Sequence, residues 1–153
     1  YPFELAVERV RAAAEAARQL PFPFTLTARA ENFLVGRPDL DDTIRRLQAF
    51  QEAGADVLYA PALTTREQIA AVVSSVDRPV NVIMGLAGVD LTVAQLQSLG
   101  VKRISVGSAF ARAALGAFMR AAREVKESGT FGFANDAIPF REINQHFDRS
   151  AGG

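Results

Sequence analysis

Two charged residues of opposite sign, Arg29 and Glu31, stand two positions apart at the end of a β-like run in this chain of 153 residues. Side chains two apart on a strand point to the same face, so both can reach one site. Arginine presents a planar fork that matches a carboxylate or phosphonate, and Glu31 could orient that fork or reach a hydrated metal ion. A structural ion pair that ties the loop explains the spacing equally well. The pattern gives two candidate catalytic residues, with Arg29 also the candidate for binding an anionic substrate.

Two further polar residues are weaker candidates for substrate binding. Asn81 shares a strand face with Ile83 and could be a hydrogen-bond partner for a ligand, although a buried strand amide bonded to its neighbours is the interpretation we favour. Ser108 follows Gly107 at a turn that opens a helix, where a phosphate can bind. A simple serine cap after a tight turn is the better explanation of that motif.

Four β-like runs alternate with four helical patterns and must position these residues. The runs cover residues 24–29, 56–60, 79–84 and 103–107, and β-branched residues and turn signals favour strands. Each helical pattern has a start signal. Asp39 is the predicted cap of the first, Thr64 with Glu67 the capping box of the second, Thr92 with Gln95 that of the third, and Ser108 precedes the fourth.

We predict one α/β domain over residues 1–153, with a leading helix at 1–20, four βα units at 24–128 and a tail at 129–153. Strand–helix–strand spacing of this kind indicates right-handed parallel crossovers. Four units of a TIM-type (β/α)₈ barrel and a small doubly wound sheet both fit. The first and fourth runs each alternate polar and apolar residues, which favours the barrel, because a doubly wound sheet buries both faces. A complete barrel usually needs about 250 residues, so this is a half barrel.

Composition excludes several classes of function. Acidic and basic residues balance at 17 each, so no charge excess points to nucleic acid. No apolar run approaches the roughly 18 residues that a membrane helix needs. Cysteine is absent, which removes disulfides and thiolate metal sites. The chain starts at Tyr1 without a signal-like segment, so we expect further sequence upstream and a cytoplasmic location.

Five stretches carry a family resemblance: 26–33 (LTARAENF), 39–46 (DLDDTIRR), 50–58 (FQEAGADVL), 99–107 (LGVKRISVG) and 108–112 (SAFAR). They resemble the ARxEAF, LDxAIxRxxAYxxAGADxI, LGVxRVSxG and SAFR motifs of the isocitrate lyase and phosphoenolpyruvate mutase superfamily. The likeness runs from about residue 3 to residue 147. It is specific at Arg29 to Phe33 and at Gly54 to Asp56. It places the chain in the C-terminal half of the barrel.

The resemblance implies a Mg²⁺-dependent enzyme that makes or breaks a C–C or P–C bond of a 2-oxo acid or phosphonopyruvate-type substrate through an enolate-like intermediate. Arg29 matches the family's arginine for the substrate anion, and Glu31 matches an acidic residue of the polar network. The family's metal ligands come from the first half of the barrel, so we expect none in this chain and little activity from the chain by itself. Ile83-Met84 stands where many lyases have Asn-Met, which leaves the reaction open.

Two other expectations concern assembly. The tail carries six bulky apolar residues that must be buried: Phe131, Phe133, Ile138, Phe140, Ile143 and Phe147. Family members pack C-terminal helices across subunits, so the resemblance implies a homo-oligomer, while packing on the chain's own barrel is the alternative. A half barrel also leaves two unpaired sheet edges. The competing functional hypothesis is therefore a non-catalytic half barrel, either a fragment or a self-associating binding module.

Overall fold

Helices and short strands alternate along the chain in the computed structural model, which describes residues 1–147. The elements in order are α1 (Phe3–Arg18), β1 (Thr27–Arg29), α2 (Leu40–Glu52), β2 (Val57–Tyr59), α3 (Arg66–Ser74), β3 (Val80–Ile83), α4 (Val93–Ser98), β4 (Arg103–Ser105), α5 (Ala109–Ser128), a 3-10 turn (Gly132–Asp136) and α6 (Phe140–Gln145).

The four strands form one parallel sheet in the order β1-β2-β3-β4. Each strand lies beside its neighbour in sequence, so the order contains no reversal of the kind that defines a doubly wound sheet. Consecutive parallel strands joined by helices form the arc of a (β/α)₈ barrel. The fold-class prediction, the C-terminal half of such a barrel, is confirmed.

The strands are shorter than the β-like runs. The first run was expected from residue 24, but pairing begins at Thr27. Leu26 stands just ahead of the strand, where its N–H donates to the Asp56 side chain at 2.8 Å and its carbonyl accepts from Val57 N at 3.1 Å. A β-propensity pattern does not reveal this side-chain bond, which lies just before β1.

Three caps show how well local motifs predict the helix starts. Asp39 caps α2 by accepting the Asp42 N–H, and Thr92 forms a capping box with Gln95 at α4, as predicted. The box predicted for Thr64 and Glu67 is wrong. Thr65 is the cap of α3, and the Gln68 side chain returns to the backbone of residues 64 and 65. The helix therefore starts one residue later than the motif predicted.

The core of the first compact unit, residues 1–109, lies between the sheet and the helices that cross over it. Its largest fully buried apolar side chains are Leu47, Leu58, Leu63, Ile69, Val72 and Leu96. Burying one such side chain stabilises the fold by about 1.5–3 kcal/mol. This core fixes the sheet, and the sheet fixes the strand ends where the candidate residues stand.

The second compact unit starts at Phe110. Within its described part, to residue 147, no residue of α5 or α6 is buried. The Glu124 carboxylate accepts from the Thr130 hydroxyl at 2.7 Å and from Phe133 N at 3.1 Å, which ties the 3-10 turn to α5. Large apolar side chains of α5, such as Phe110 and Phe118, are therefore exposed. The prediction of a single domain over 1–153 stays a prediction, and its last residues lie outside the described part of the chain.

Candidate active site

One row of side chains crosses all four strands on one face of the sheet, from the last residues of β1 and β2 to the first residue of β4. The register pairs Arg29 with Tyr59, Tyr59 with Asn81, and Asn81 with Arg103. Registered residues of neighbouring parallel strands point to the same face. Ser105 stands two residues beyond Arg103 and shares that face. The carboxyl ends of parallel strands are where α/β barrels build their active sites.

Arg29 and Glu31 meet at the edge of this row. Arg29 Nε lies 2.8 Å from Glu31 Oε1, and both side chains remain nearly half exposed, at 47% and 42%. The guanidinium carbon of Arg29 lies 5.1 Å from the centre of the Tyr59 ring, within cation–π range. Because Glu31 engages Nε, the two terminal NH₂ groups of Arg29 are left to bind a planar anion.

Tyr59 and Asn81 form the buried floor of the row, at 9% and 2% exposure. Burial raises the pKa of the Tyr59 hydroxyl, while the charge of Arg29 and the Ser105 hydroxyl oppose that rise. Tyr59 is therefore a neutral hydrogen-bonding group at neutral pH. Its position one strand from Arg29 keeps that cation over an aromatic face.

Only one of the two polar atoms of the Asn81 side-chain amide has a hydrogen-bond partner among residues 1–147. Its Nδ2 donates to Ser105 Oγ at 3.1 Å, whereas Oδ1 has no hydrogen-bond partner among residues 1–147. A buried polar atom without a partner costs about 1–3 kcal/mol, so native proteins seldom leave one. A donor from a ligand or a water molecule would remove that cost at this face of the sheet.

The predicted site residues are placed as follows. Arg29 and Glu31 are brought together, and Asn81 lies in the row that starts at Arg29. Asn81 is also buried and bonded to a neighbouring strand, which is the structural alternative stated for it. Ser108 is exposed and lies between β4 and α5. The roles of all four residues stay predictions.

Sequence reasoning missed Tyr59, which lies between Arg29 and Asn81 in the strand register. A tyrosine at the end of a β-like run is typical of core, and it is indeed mostly buried. Its signal was positional, because it ends the second strand as Arg29 ends the first. Ser105 was recognised as part of a polar face but not as the partner of Asn81, because the strand register is not visible in the sequence.

The described residues do not form a metal centre. Among residues 1–147 no group of three or more His, Cys, Asp or Glu side chains is placed to hold a metal ion. Mg²⁺ takes oxygen ligands, chiefly carboxylates and water, and Glu31, the acidic group of this row, is engaged with Arg29. The described residues therefore do not fit a Mg²⁺ site by themselves.

None of the helices within 1–147 has both the length and the apolar character that crossing a bilayer requires.

An arc of parallel strands with an arginine and a glutamate at the carboxyl end of its first strand is typical of the class of α/β-barrel proteins. The comparison with known families is more specific. Residues 1–126 match the family model for phosphoenolpyruvate phosphomutase. The chain belongs to this family, and thus to the phosphoenolpyruvate mutase/isocitrate lyase superfamily.

Three similar proteins show how far the likeness extends. A candidate lyase/mutase of Burkholderia cenocepacia J2315 has 60% sequence identity and a TM-score of 0.92, over 97% of this chain and 53% of that one. A phosphonopyruvate hydrolase in complex with oxalate and Mg²⁺ has 27% identity and a TM-score of 0.74, over 98% of this chain and 54% of that one. An uncharacterised protein of Mycobacterium tuberculosis strain H37Rv is 32% identical over 105 residues, which are 69% of this chain and 38% of that protein.

The chain spans about half the length of the solved structures that it matches. The matched family and the neighbouring structures are mutases, lyases and a hydrolase, so this is a superfamily of enzymes.

Proposed function

We propose that this chain supplies the substrate-anion side of an active site in a Mg²⁺-dependent enzyme of the superfamily. The enzyme would make or break a C–C or P–C bond next to the carbonyl of a 2-oxo acid or phosphonopyruvate-type substrate, through an enolate-like intermediate. The observation that carries the proposal is Arg29, held by Glu31 at 2.8 Å at the carboxyl edge of the sheet.

In this proposal each residue of the row has one task. The terminal NH₂ groups of Arg29 bind the carboxylate or phosphonate, because a guanidinium pairs with such groups through two parallel hydrogen bonds. Glu31 orients Arg29 through its Nε, and the Tyr59 ring supports the guanidinium by a cation–π contact. Asn81 Oδ1 accepts a hydrogen bond from a water molecule bound with the substrate. Fixed positive charge beside a developing oxyanion lowers the barrier to its formation.

In this proposal the Mg²⁺ ion is not held by the described residues. Mg²⁺ would supply charge to the enolate oxygen when bound, and its ligands would come from outside residues 1–147, which hold no suitable cluster. The described sheet ends at β1 and at β4, so each of these strands has one edge without a partner. A closed barrel pairs both edges. We therefore expect the chain by itself to show little enzymatic turnover of such a substrate. The cytoplasmic location stays a prediction.

A non-catalytic half barrel that associates with itself is the second candidate. The second unit supports self-association, because it exposes large apolar side chains: Phe110, Leu115, Phe118, Met119, Phe131, Ile138, Phe140 and Phe147. We propose that a homo-oligomer contact covers this surface. Light scattering on the wild type and on Phe118→Ser tests it, with a larger wild-type mass expected. A monomeric wild type would contradict the contact.

The test of the anion site uses oxalate, the ligand of the phosphonopyruvate hydrolase structure. ¹H–¹⁵N NMR titration of the full chain would follow the backbone amide signals of residues 29–31, which every variant retains, with and without MgCl₂. We expect Arg29→Gln to weaken binding at least about tenfold, which is about 1.4 kcal/mol. Arg78→Gln, an exposed arginine just before β3, is the matched control and should bind like the wild type. Equal affinity of wild type and Arg29→Gln would overturn the proposal.

A further inference from the structure

The loop after β1 carries Glu31 and has few attachments of its own. Ala30 N donates to Tyr59 O at 2.9 Å and continues the sheet by one step, after which the loop turns away. Within the turn, Arg37 N donates to Asn32 O at 2.9 Å. Apart from the Arg29–Glu31 pair, one side-chain hydrogen bond involves residues 30–38 in the described chain, and it belongs to Asn32.

That bond reaches the first turn of α2. Asn32 Nδ2 donates to Asp42 Oδ2 at 2.8 Å. Asn32 directly follows Glu31, so the bond fixes the loop one residue from the carboxylate that holds Arg29. A cavity of about 160 Å³ adjoins the same side chains, including Arg29, Glu31 and Asp42. Phe33 packs against the core, and the Asn32–Asp42 hydrogen bond attaches the loop to α2 between Phe33 and Glu31.

Asp42 is itself held on three sides. Arg46 Nε lies 2.6 Å from Oδ2, Arg45 Nη2 lies 2.8 Å from Oδ1, and the Asp42 N–H is capped by Asp39 at 2.9 Å. Its side chain is 22% exposed. The Arg46 hydrogen bond, against the opposing effect of burial, holds the pKa of the Asp42 carboxyl well below its usual range. Asp42 is thus a fixed anion at the N-terminus of a helix, where negative charge is favoured.

Arg46 connects this anion to the start of the chain. Its Nη1 donates to Tyr1 O at 3.4 Å, and its guanidinium carbon lies 5.8 Å from the Phe3 ring centre. Its side chain is 19% exposed. The path Arg46–Asp42–Asn32 therefore consists of half-buried groups with short contacts, and it ends beside the exposed pair of Glu31 and Arg29.

We propose that Asp42 is a positioning residue that acts through Asn32 to hold the Glu31 loop, and thereby keeps Arg29 in its anion-binding orientation. This inference rests on the proposed anion-binding role of Arg29. Asp42 does not touch the ligand. Its effect on binding passes through Glu31, which would otherwise share the motion of a loop beside a cavity.

The experiment compares Asp42→Asn with Asp41→Asn in the full chain. Asp41 is an exposed acid in the same first turn, and no hydrogen bond or ion pair of its side chain is present among residues 1–147. The readouts are the oxalate affinity and the water-exchange rate of the Arg29 Nε–H. We expect Asp42→Asn to weaken oxalate binding about fivefold and to speed that exchange. Asp41→Asn should change neither quantity. Asn32→Ala should repeat the effect, and the double variant should be no worse than either single one.

The outcomes separate this inference from the proposed function. Identical exchange rates in Asp42→Asn and Asp41→Asn would overturn the positioning role, whatever the ligand does. Failure of the wild type to bind oxalate would refute the anion site, while the exchange rate would still show whether Asp42 holds Arg29. If Asp42→Asn does not fold, Asn32→Ala decides the matter, because that substitution lies in the loop and leaves the α2 ion pairs intact. An unchanged Asn32→Ala exchange rate would then overturn the proposal.

Discussion

Arg29 lies over the ring of Tyr59, with its guanidinium carbon 5.1 Å from the ring centre, and Glu31 Oε1 lies 2.8 Å from its Nε. A flexible cation is thereby confined by an aromatic face and a carboxylate. Confinement of this kind lowers the entropy lost when an anion binds.

Removing the Tyr59 ring should weaken anion binding more than removing its hydroxyl. A cation–π contact at an exposed site contributes about 0.5–1 kcal/mol, so Tyr59→Leu should weaken oxalate binding about two- to fivefold. Tyr59→Phe keeps the ring and should stay within about twofold of the wild type. Calorimetric titration of both variants measures the difference. Equal losses in the two variants would show that the hydroxyl, and not the ring, is what matters.

Loss of the Asp42 charge should destabilise the protein at neutral pH and not in acid. The folded protein holds the pKa of Asp42 below its ordinary value of 3.8, so its ion pairs stabilise the fold fully above that pH. That stability is lost as the pH falls below 3.8. Asp42→Asn should therefore lower the free energy of unfolding at pH 7 by about 1–3 kcal/mol. Urea unfolding at a series of pH values should show the gap closing in acid, and a constant gap would contradict the account.

Replacing Asn81 should affect binding more than stability. Asn81→Leu gives up the bond to Ser105 but also removes an acceptor that has no partner within residues 1–147. These two effects oppose each other, so the free energy of unfolding should change by less than about 1.5 kcal/mol. Oxalate binding should weaken, because the acceptor for a water molecule bound with the ligand is gone. A large loss of stability with unchanged binding would make Asn81 a structural residue only.

The start of α3 gives a matched pair for testing the helix cap. Thr65→Ala removes the hydroxyl that accepts the Gln68 N–H, and should cost about 1 kcal/mol. Thr64→Ala one residue earlier removes no such bond and should be nearly neutral. Thermal unfolding of the two variants distinguishes them. The reverse order of stabilities would restore the capping box that the sequence motif suggested.

Much of the fold was predictable because its signals are local. The periodicity of Leu47 and Phe50 in α2, the Asp39 cap and the β-like run that ends at Arg29 each depend on a few neighbouring residues. Gly54 after α2 is another such signal, since its φ of +104° suits glycine and ends the helix.

The site was less predictable because it depends on register between strands. Arg29 and Glu31 are neighbours in sequence and were found, whereas Tyr59 meets Arg29 only through pairing of β1 with β2. The contact of Asn32 with Asp42 depends on how the loop folds back on α2. A sequence motif records which residues are present there, but not which of their atoms meet.

The most direct measurement is a crystal structure of the protein grown with oxalate and MgCl₂. The account predicts one carboxylate of oxalate at about 2.7–2.9 Å from the terminal nitrogens of Arg29, with Glu31 still on Nε. Oxalate bound away from Arg29, or an Arg29 side chain turned away from the sheet edge with oxalate bound, would contradict the central claim.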